Sequence, residues 1–256
     1  MLELLLVFGV TWLILVFFYK QALTEFRLNQ VEWSVTNPES LSDLLAEKAP
    51  LVLRGIPHTH VWTLADVQAR AIYRSLPVFK ELALSDWILT TSAMEGMHAC
   101  PWNDTEAQRI AQASGISVWA AAHLHPMIRS SVWQRAWIRP QYACWAGNRG
   151  LSRTYGVCTV ILPVEGTLRV TLLTERMDAY LPQPWKGCHP SMITQGDTPF
   201  VSDLHYMDVI LRPGTCFLLP PHWFVSWMAT EPTVFPMVCT ITYHSPVSAV
   251  AERMGT

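Results

Sequence analysis

An α+β fold behind an N-terminal membrane-spanning helix is predicted by three observations. Leu4–Tyr19 carries no charge and is rich in Leu, Val, Phe and Ile. Residues 37–137 read as short helices opened by capping residues and closed by Pro or Gly. From Gln141 the apolar runs become short, β-branched and punctuated by Gly and Pro, the texture of a sandwich or small barrel. The expected organisation is an anchor over 1–23, a linker over 24–36 and one domain over 37–256.

At ~1.5 Å per residue, Leu4–Tyr19 spans roughly 24 Å, and Met1, Leu2 and Gln21–Leu23 extend it toward the ~30 Å of a hydrocarbon core. Glu3 precedes the run, no Lys or Arg does, and no small-x-small cleavage site follows, so an uncleaved span is expected rather than a signal peptide. Lys20 and Arg27 follow it. The positive-inside rule then puts the globular part on the cytoplasmic or matrix side. Gln21–Glu32 is expected to continue the helix out of the membrane.

Asn37 at N-cap and Pro38 at the first helical position start a helix to about Lys48, with Leu41, Leu44 and Leu45 on one face. Ala49-Pro50 ends it, and Leu51–Gly55 reads as a short strand. Thr63 with Asp66 opens a helix to about Ser75, stopped by Pro77. Trp87–Thr91 reads as a strand. Asn103 caps a helix over Asp104–Ser114, and Gly115 terminates it. Ser117–Trp137 is helical in pattern, interrupted at Pro126. Strands are expected at Tyr155–Pro163, Thr167–Thr174, Tyr206–Leu211, Cys216–Leu219, Trp223–Met228 and Val234–Tyr243, with Tyr180–Pro199 a long surface loop.

Half the residues are apolar and 15% are charged, enough to bury a sizeable core. A net charge of -2 offers no electrostatic case for nucleic acid. The 12 tryptophans suit burial against protein or lipid as well as a core. Cys100, Cys144, Cys158, Cys188, Cys216 and Cys239 form no C-x-x-C, and several fall in apolar runs, which predicts buried free thiols.

Leu211–Trp227 runs from a Pro-Gly turn through an apolar strand to Pro220-Pro221-His222-Trp223-Phe224. It resembles the late strand pair of the Jumonji-C and cupin-like oxygenases. The helix followed by Pro50-Leu51-Val52-Leu53-Arg54-Gly55 is similar to the family's entry. Trp145-Ala146-Gly147-Asn148-Arg149-Gly150 and Pro163-Val164-Glu165-Gly166 are similar to its aromatic-Gly lead-in and its turn. The resemblance implies a double-stranded β-helix (jelly roll) with the early helices packed around it. It also implies an Fe(II) site of two His and one carboxylate, residue types that suit this ion and leave it open positions. Here the late His slot holds Val225. The His-x-acid slots fall on Arg153 and Tyr155 counted from Gly166, or on Gly156 and Cys158 counted from Gly147. No His, Asp or Glu occurs between Trp145 and Val164. The slot for the lysine that would bind 2-oxoglutarate falls on Leu168, with Arg169 its neighbour. Val225, Tyr155 and Leu168 are therefore expected as core filling.

Other candidates read as structural. His58-x-His60 and His123-x-His125 lack the further ligand a cupin needs, and residues two apart on a helix diverge. His205 with Asp208 precedes a strand, and His222 is a buried, hydrogen-bonded histidine. Cys188-His189 has no identified partner for a nucleophile. No catalytic, metal or cofactor-binding residue is assigned, and no cofactor is expected.

The expected function is a non-catalytic, membrane-anchored accessory or scaffold subunit of a larger membrane complex. A mitochondrial respiratory assembly at the inner membrane is its specific form, with the other subunits and the lipid bilayer as partners. The alternative is a divergent Fe(II)/2-oxoglutarate-type oxygenase, or a small-ligand-binding cupin with relocated ligands. A barrel filled by Val, Tyr, Leu and Met favours the scaffold. An open polar cavity holding His or carboxylate groups favours the alternative.

Overall fold

The computed structural model describes residues 2–20, 26–79, 82–93, 99–231 and 235–254. The chain is mixed α+β with an N-terminal apolar helix, α1 (Leu2–Lys20), long and apolar enough to cross a membrane. Of its described side chains only Val16 is buried. The expected extension over Gln21–Leu23 lies outside the described residues. Asn29–Glu32 forms a strand, β1, and does not continue the helix. It pairs in parallel with β2 (Leu51–Arg54), Asn29 opposite Leu51. Cross-strand bonding there outweighs the weak local preference for helix.

Helix α2 (Pro38–Ala46) opens with a full capping box between Asn37 and Ser40. The expected helix 63–75 divides into α3 (Leu64–Ala69) and α4 (Ala71–Ser75). Arg70 between them is extended, and its Nη1 donates to the carbonyls of Ala113 and Ser114 at 3.3 and 3.0 Å. A small hairpin, β3 (Pro77–Phe79) and β4 (Leu82–Ala83), leads into α5 (Leu84–Ala93). Trp87–Thr91 is thus helical rather than a strand. The buried positions of α5, Leu84, Ser85, Trp87, Ile88 and Thr91, follow helical spacing that a five-residue window cuts off.

Helix α6 (Asp104–Ser114) is capped reciprocally by Asn103 and Glu106 and ends at left-handed Gly115, φ 82°. The helical stretch beyond it forms α7 (Ile116–His123), α8 (His125–Ile128) and α9 (Val132–Trp137). The first break falls at Leu124, and Pro126 sits in the opening turn of α8, where its missing N–H costs nothing.

Eight strands follow: β5 (Arg139–Ala146), β6 (Arg149–Arg153), β7 (Cys158–Glu165), β8 (Leu168–Leu173), β9 (Met207–Leu211), β10 (Thr215–Leu219), β11 (Phe224–Ala229) and β12 (Met237–His244). Val234 lies outside the described residues. A final helix, α10 (Pro246–Arg253), is capped by Ser245 and Ser248. One sheet has the order β1-β2-β10-β7-β12-β5, the other β6-β11-β8-β9, and all pairings except β1 with β2 are antiparallel. Buried side chains of both sheets and the early helices form one core from Leu41 to Tyr243.

Two connections position the site. The turn Arg212–Thr215 closes with Thr215 N–H donating to the Arg212 carbonyl at 3.0 Å, and Gly214 supplies φ 85° after Pro213. Pro then Gly is the type II signature. The segment between β8 and β9 is more than a bare surface loop. Its Met177, Leu181, Trp185, Ile193 and Leu204 pack with Leu151, Leu173 and Phe224 against the outer face of the smaller sheet.

Candidate ligand cavity

A cavity of about 430 Å³ lies between the two sheets. Strand alternation builds it, since every second residue of a strand faces the same way. Gln141, Ala143 and Trp145 of β5, Thr159 and Ile161 of β7, and Thr240, Thr242 and His244 of β12 line one wall. The intervening Tyr142 and Tyr243 meet the ring of His125 in α8, on the helix-covered side. The polar face of β12 thus points inward and its apolar face outward.

Val225 and Trp227 of β11 and Ser152 and Arg149 of β6 supply the opposite wall. Val225 pairs with Ser152, and Trp227 with Arg149. Three residue steps on β6 match two on β11, so the strand bulges. A regular strand sends residues three apart to opposite faces; the bulge brings Arg149 and Ser152 to the same one.

Arg149 stacks over the Trp145 ring, its Cζ 3.7 Å from the centroid, and lies 5.3 Å from the Trp227 centroid. Its Nη2 donates to Asp104 Oδ1 at 2.7 Å. Burial pulls the guanidinium below its ordinary range and the Asp104 carboxylate opposes this; it stays charged at neutral pH. Stacking is worth about 0.5–2 kcal/mol, and the pair with exposed Asp104 under about 1 kcal/mol.

Arg153 pairs with Glu175 and lies 3.8 Å from Asp178. Burial raises the Glu175 carboxyl, against the pull of Arg153. At the other end His244 Nδ1 is 3.7 Å from Glu252 Oε2 of α10, and both residues line the cavity. Burial depresses the His244 imidazole, with Glu252 opposing. Trp185 and Lys186 complete the rim. Gly150 fixes that rim: a Cβ there would stand 1.9 Å from the Gly187 carbonyl oxygen.

The expected site positions separate. Arg153, Tyr155 and Val225 all reach the cavity lining. Val225 and Tyr155 are buried, as expected of them, Val225 within the main core, and each also forms part of the cavity wall. Leu168 is fully buried core on β8, between Leu211 and Ala229. Cys158 begins β7, also buried. The histidine pairs stay apart from the cavity. His123 and His125 belong to different helices, and His125 Nε2 bonds Tyr142 Oη at 2.9 Å. His189 caps a short turn through Ser191, and Asp208 accepts from Thr171 Oγ1 at 2.6 Å. Among the described residues no three His, Cys, Asp or Glu side chains are grouped to hold a metal ion. The residues at the expected iron position, Arg153, Tyr155 and Val225, do not fit Fe(II): a guanidinium is cationic and a valine has no donor atom.

The turn beside the cavity holds the N-terminal helix α1. Thr154 Oγ1 donates to the Pro220 carbonyl at 3.0 Å and accepts from Trp223 N–H at 3.0 Å, while His222 N–H donates to the Thr154 carbonyl at 2.7 Å. His222 has φ 71° and is fully buried. Its Nε2 meets the Tyr19 carbonyl, and Tyr19 Oη donates to the Tyr155 carbonyl at 2.8 Å. Helix α1 also packs on α10.

Gln141, Thr159, Thr240, Thr242 and His244 are among the lining residues that sequence reasoning did not single out. Their signal is polar alternation within strands, as in Thr240-Ile241-Thr242-Tyr243-His244. No family model matches the chain. No curated protein matches it either.

Proposed function

We propose that the chain is a membrane-anchored binding protein: a degenerate jelly roll of the Jumonji-C and cupin type, held to the bilayer by α1, whose barrel takes up a small polar ligand. The division of β5–β12 into four and four strands supports the jelly roll. The carrying observation is the cavity. At about 430 Å³ it falls within the size of small-molecule sites, and Gln141, Thr242, His244, Arg149 and Lys186 offer it directional polar groups. An iron site lost in favour of packing alone gains by filling this space with Leu or Met. A thermal-melt screen of the full chain in detergent against carboxylates, amides and nucleosides tests the reading. A saturable rise in Tm with one chemical class is expected. A flat response across all classes contradicts it.

A second reading, an accessory subunit of a membrane complex such as a respiratory assembly, has one observation in its favour. β9 pairs only with β8 among the described strands of its sheet, and Ile210 on it and Tyr206 just before it are 52% and 50% exposed. Such an edge suits strand addition by a partner. Stoichiometric co-purification in mild detergent is its test; recovery alone removes it.

A further inference from the structure

Phe17 and Phe18 of α1 are 58% and 66% exposed although they flank buried Val16 and directly precede Tyr19, which bonds the domain. The exposed apolar surface of α1 thus runs up to the point where the helix meets the domain. With α1 across a bilayer, the end of the domain that receives it stands at the level of the lipid headgroups.

That end carries α9. Arg139, two residues after Trp137, pairs with His244, two residues before Pro246 of α10, and α10 packs on α1. Tyr155, which accepts from Tyr19, lies just before the part of β7 that pairs with the same end of β12. Val132, Trp133 and Trp137 of α9 are 78%, 76% and 57% exposed. Trp133 and Trp137 are four apart and share a helix face. Arg129 Nη2 donates to the Arg135 carbonyl at 2.7 Å and Arg135 Nε to the Arg129 carbonyl at 3.1 Å, which holds the short helix in place. Arg135 and Arg139 are exposed beside it, and Lys20 ends α1. Exposed tryptophan with flanking arginine matches the chemistry of a membrane interface, where indole sits at the headgroups and guanidinium meets phosphate.

We propose that α9 lies in the headgroup layer of the bilayer that α1 crosses, with Val132, Trp133 and Trp137 in contact with lipid. This rests on the anchored reading above and is independent of the cavity. The full chain is reconstituted in phosphatidylcholine vesicles containing lipid brominated either near the headgroup or near the bilayer centre, and tryptophan quenching is read. The other domain tryptophans are buried or half-buried. The variant Trp133→Phe/Trp137→Phe loses most of the quenching by shallow bromine and keeps its melting temperature, while Trp12→Phe loses quenching by deep bromine. Shallow quenching unchanged in the double variant overturns the proposal. If that variant also changes from dimer to monomer, the face belongs to a second copy. Absence of deep quenching that depends on Trp12 defeats the anchored reading itself, and this proposal with it.

Discussion

His222 Nε2 donates to the Tyr19 carbonyl across 2.6 Å, tying the last turn of α1 to the turn before β11. A carbonyl only accepts, so the ring is the tautomer protonated at Nε2, and Nδ1 is buried without a partner among the described residues. His222→Ala removes this bond and leaves alanine at positive φ, a loss of about 2–4 kcal/mol. His222→Asn also loses this bond, its amide reaching no farther than Nδ1, but tolerates the left-handed backbone, so it costs less. Thermal melts of the two variants in detergent check the order.

Stability falls in acid through the same residue. Burial holds the His222 imidazole down at about 4, against the opposing bond to Tyr19. The unfolded side chain titrates near 6.5. Between these values the unfolded chain binds the extra proton, so stability rises with pH from about 4 to 6.5 and this contribution is flat above. The swing is up to about 3 kcal/mol. His222→Asn flattens denaturant midpoints across that window; an unchanged slope contradicts the assignment.

Gly150→Ala tests the rim. The added Cβ meets backbone of Gly187, which must move with Cys188, whose carbonyl accepts from Leu151 N–H at 2.7 Å. A loss of about 2 kcal/mol or more is expected, with faster proteolysis between Trp185 and His189. Gly196→Ala, where a Cβ meets only Thr194 Oγ1 at an ordinary 3.5 Å, is the neutral control.

Arg149→Met separates binding from folding. Methionine keeps apolar contact with Trp145, so the melt shifts by the equivalent of about 1 kcal/mol or less. A ligand accepting from the guanidinium loses about 1.5–3 kcal/mol, roughly 10- to 100-fold in Kd. Isothermal titration with whichever class raises the Tm reads the split.

Cys100 and Cys188 are half-exposed. Burial pushes the Cys100 and Cys158 thiols up to about 12 and those of Cys216 and Cys239 well above the ordinary range. The Cys144 and Cys239 sulfurs sit 3.5 Å apart on paired strands, both buried. Iodoacetamide at mild alkaline pH therefore labels Cys188 first, Cys100 more slowly because its thiol is held protonated, and Cys144, Cys158, Cys216 and Cys239 only on unfolding, as read by peptide mass mapping.

Much of the frame was legible in local chemistry. The caps at Asn37, Asn103 and Gly115, and the Pro213-Gly214 turn, mark real boundaries because their bonds are local. β5 and β6 were not expected: β5 opens on the polar Arg139-Pro140-Gln141, and Arg149-Gly150-Leu151-Ser152-Arg153 lacks an apolar run. Their pairing partners, β12 and β11, lie about 100 and 75 residues away. The cavity was hidden for a related reason. Inward residues of β12 are polar because helices cover its other face, an inversion no single strand reveals. The bulge that turns Arg149 inward exists only against β11.

The most direct measurement is native mass spectrometry of the full chain purified from membranes, beside Ala143→Phe, which places a ring in the cavity. Wild type should carry one small-molecule adduct per chain, and Ala143→Phe should carry none while melting within a few degrees of it. A bare wild-type mass, or the same adduct on both proteins, would contradict a ligand-binding barrel.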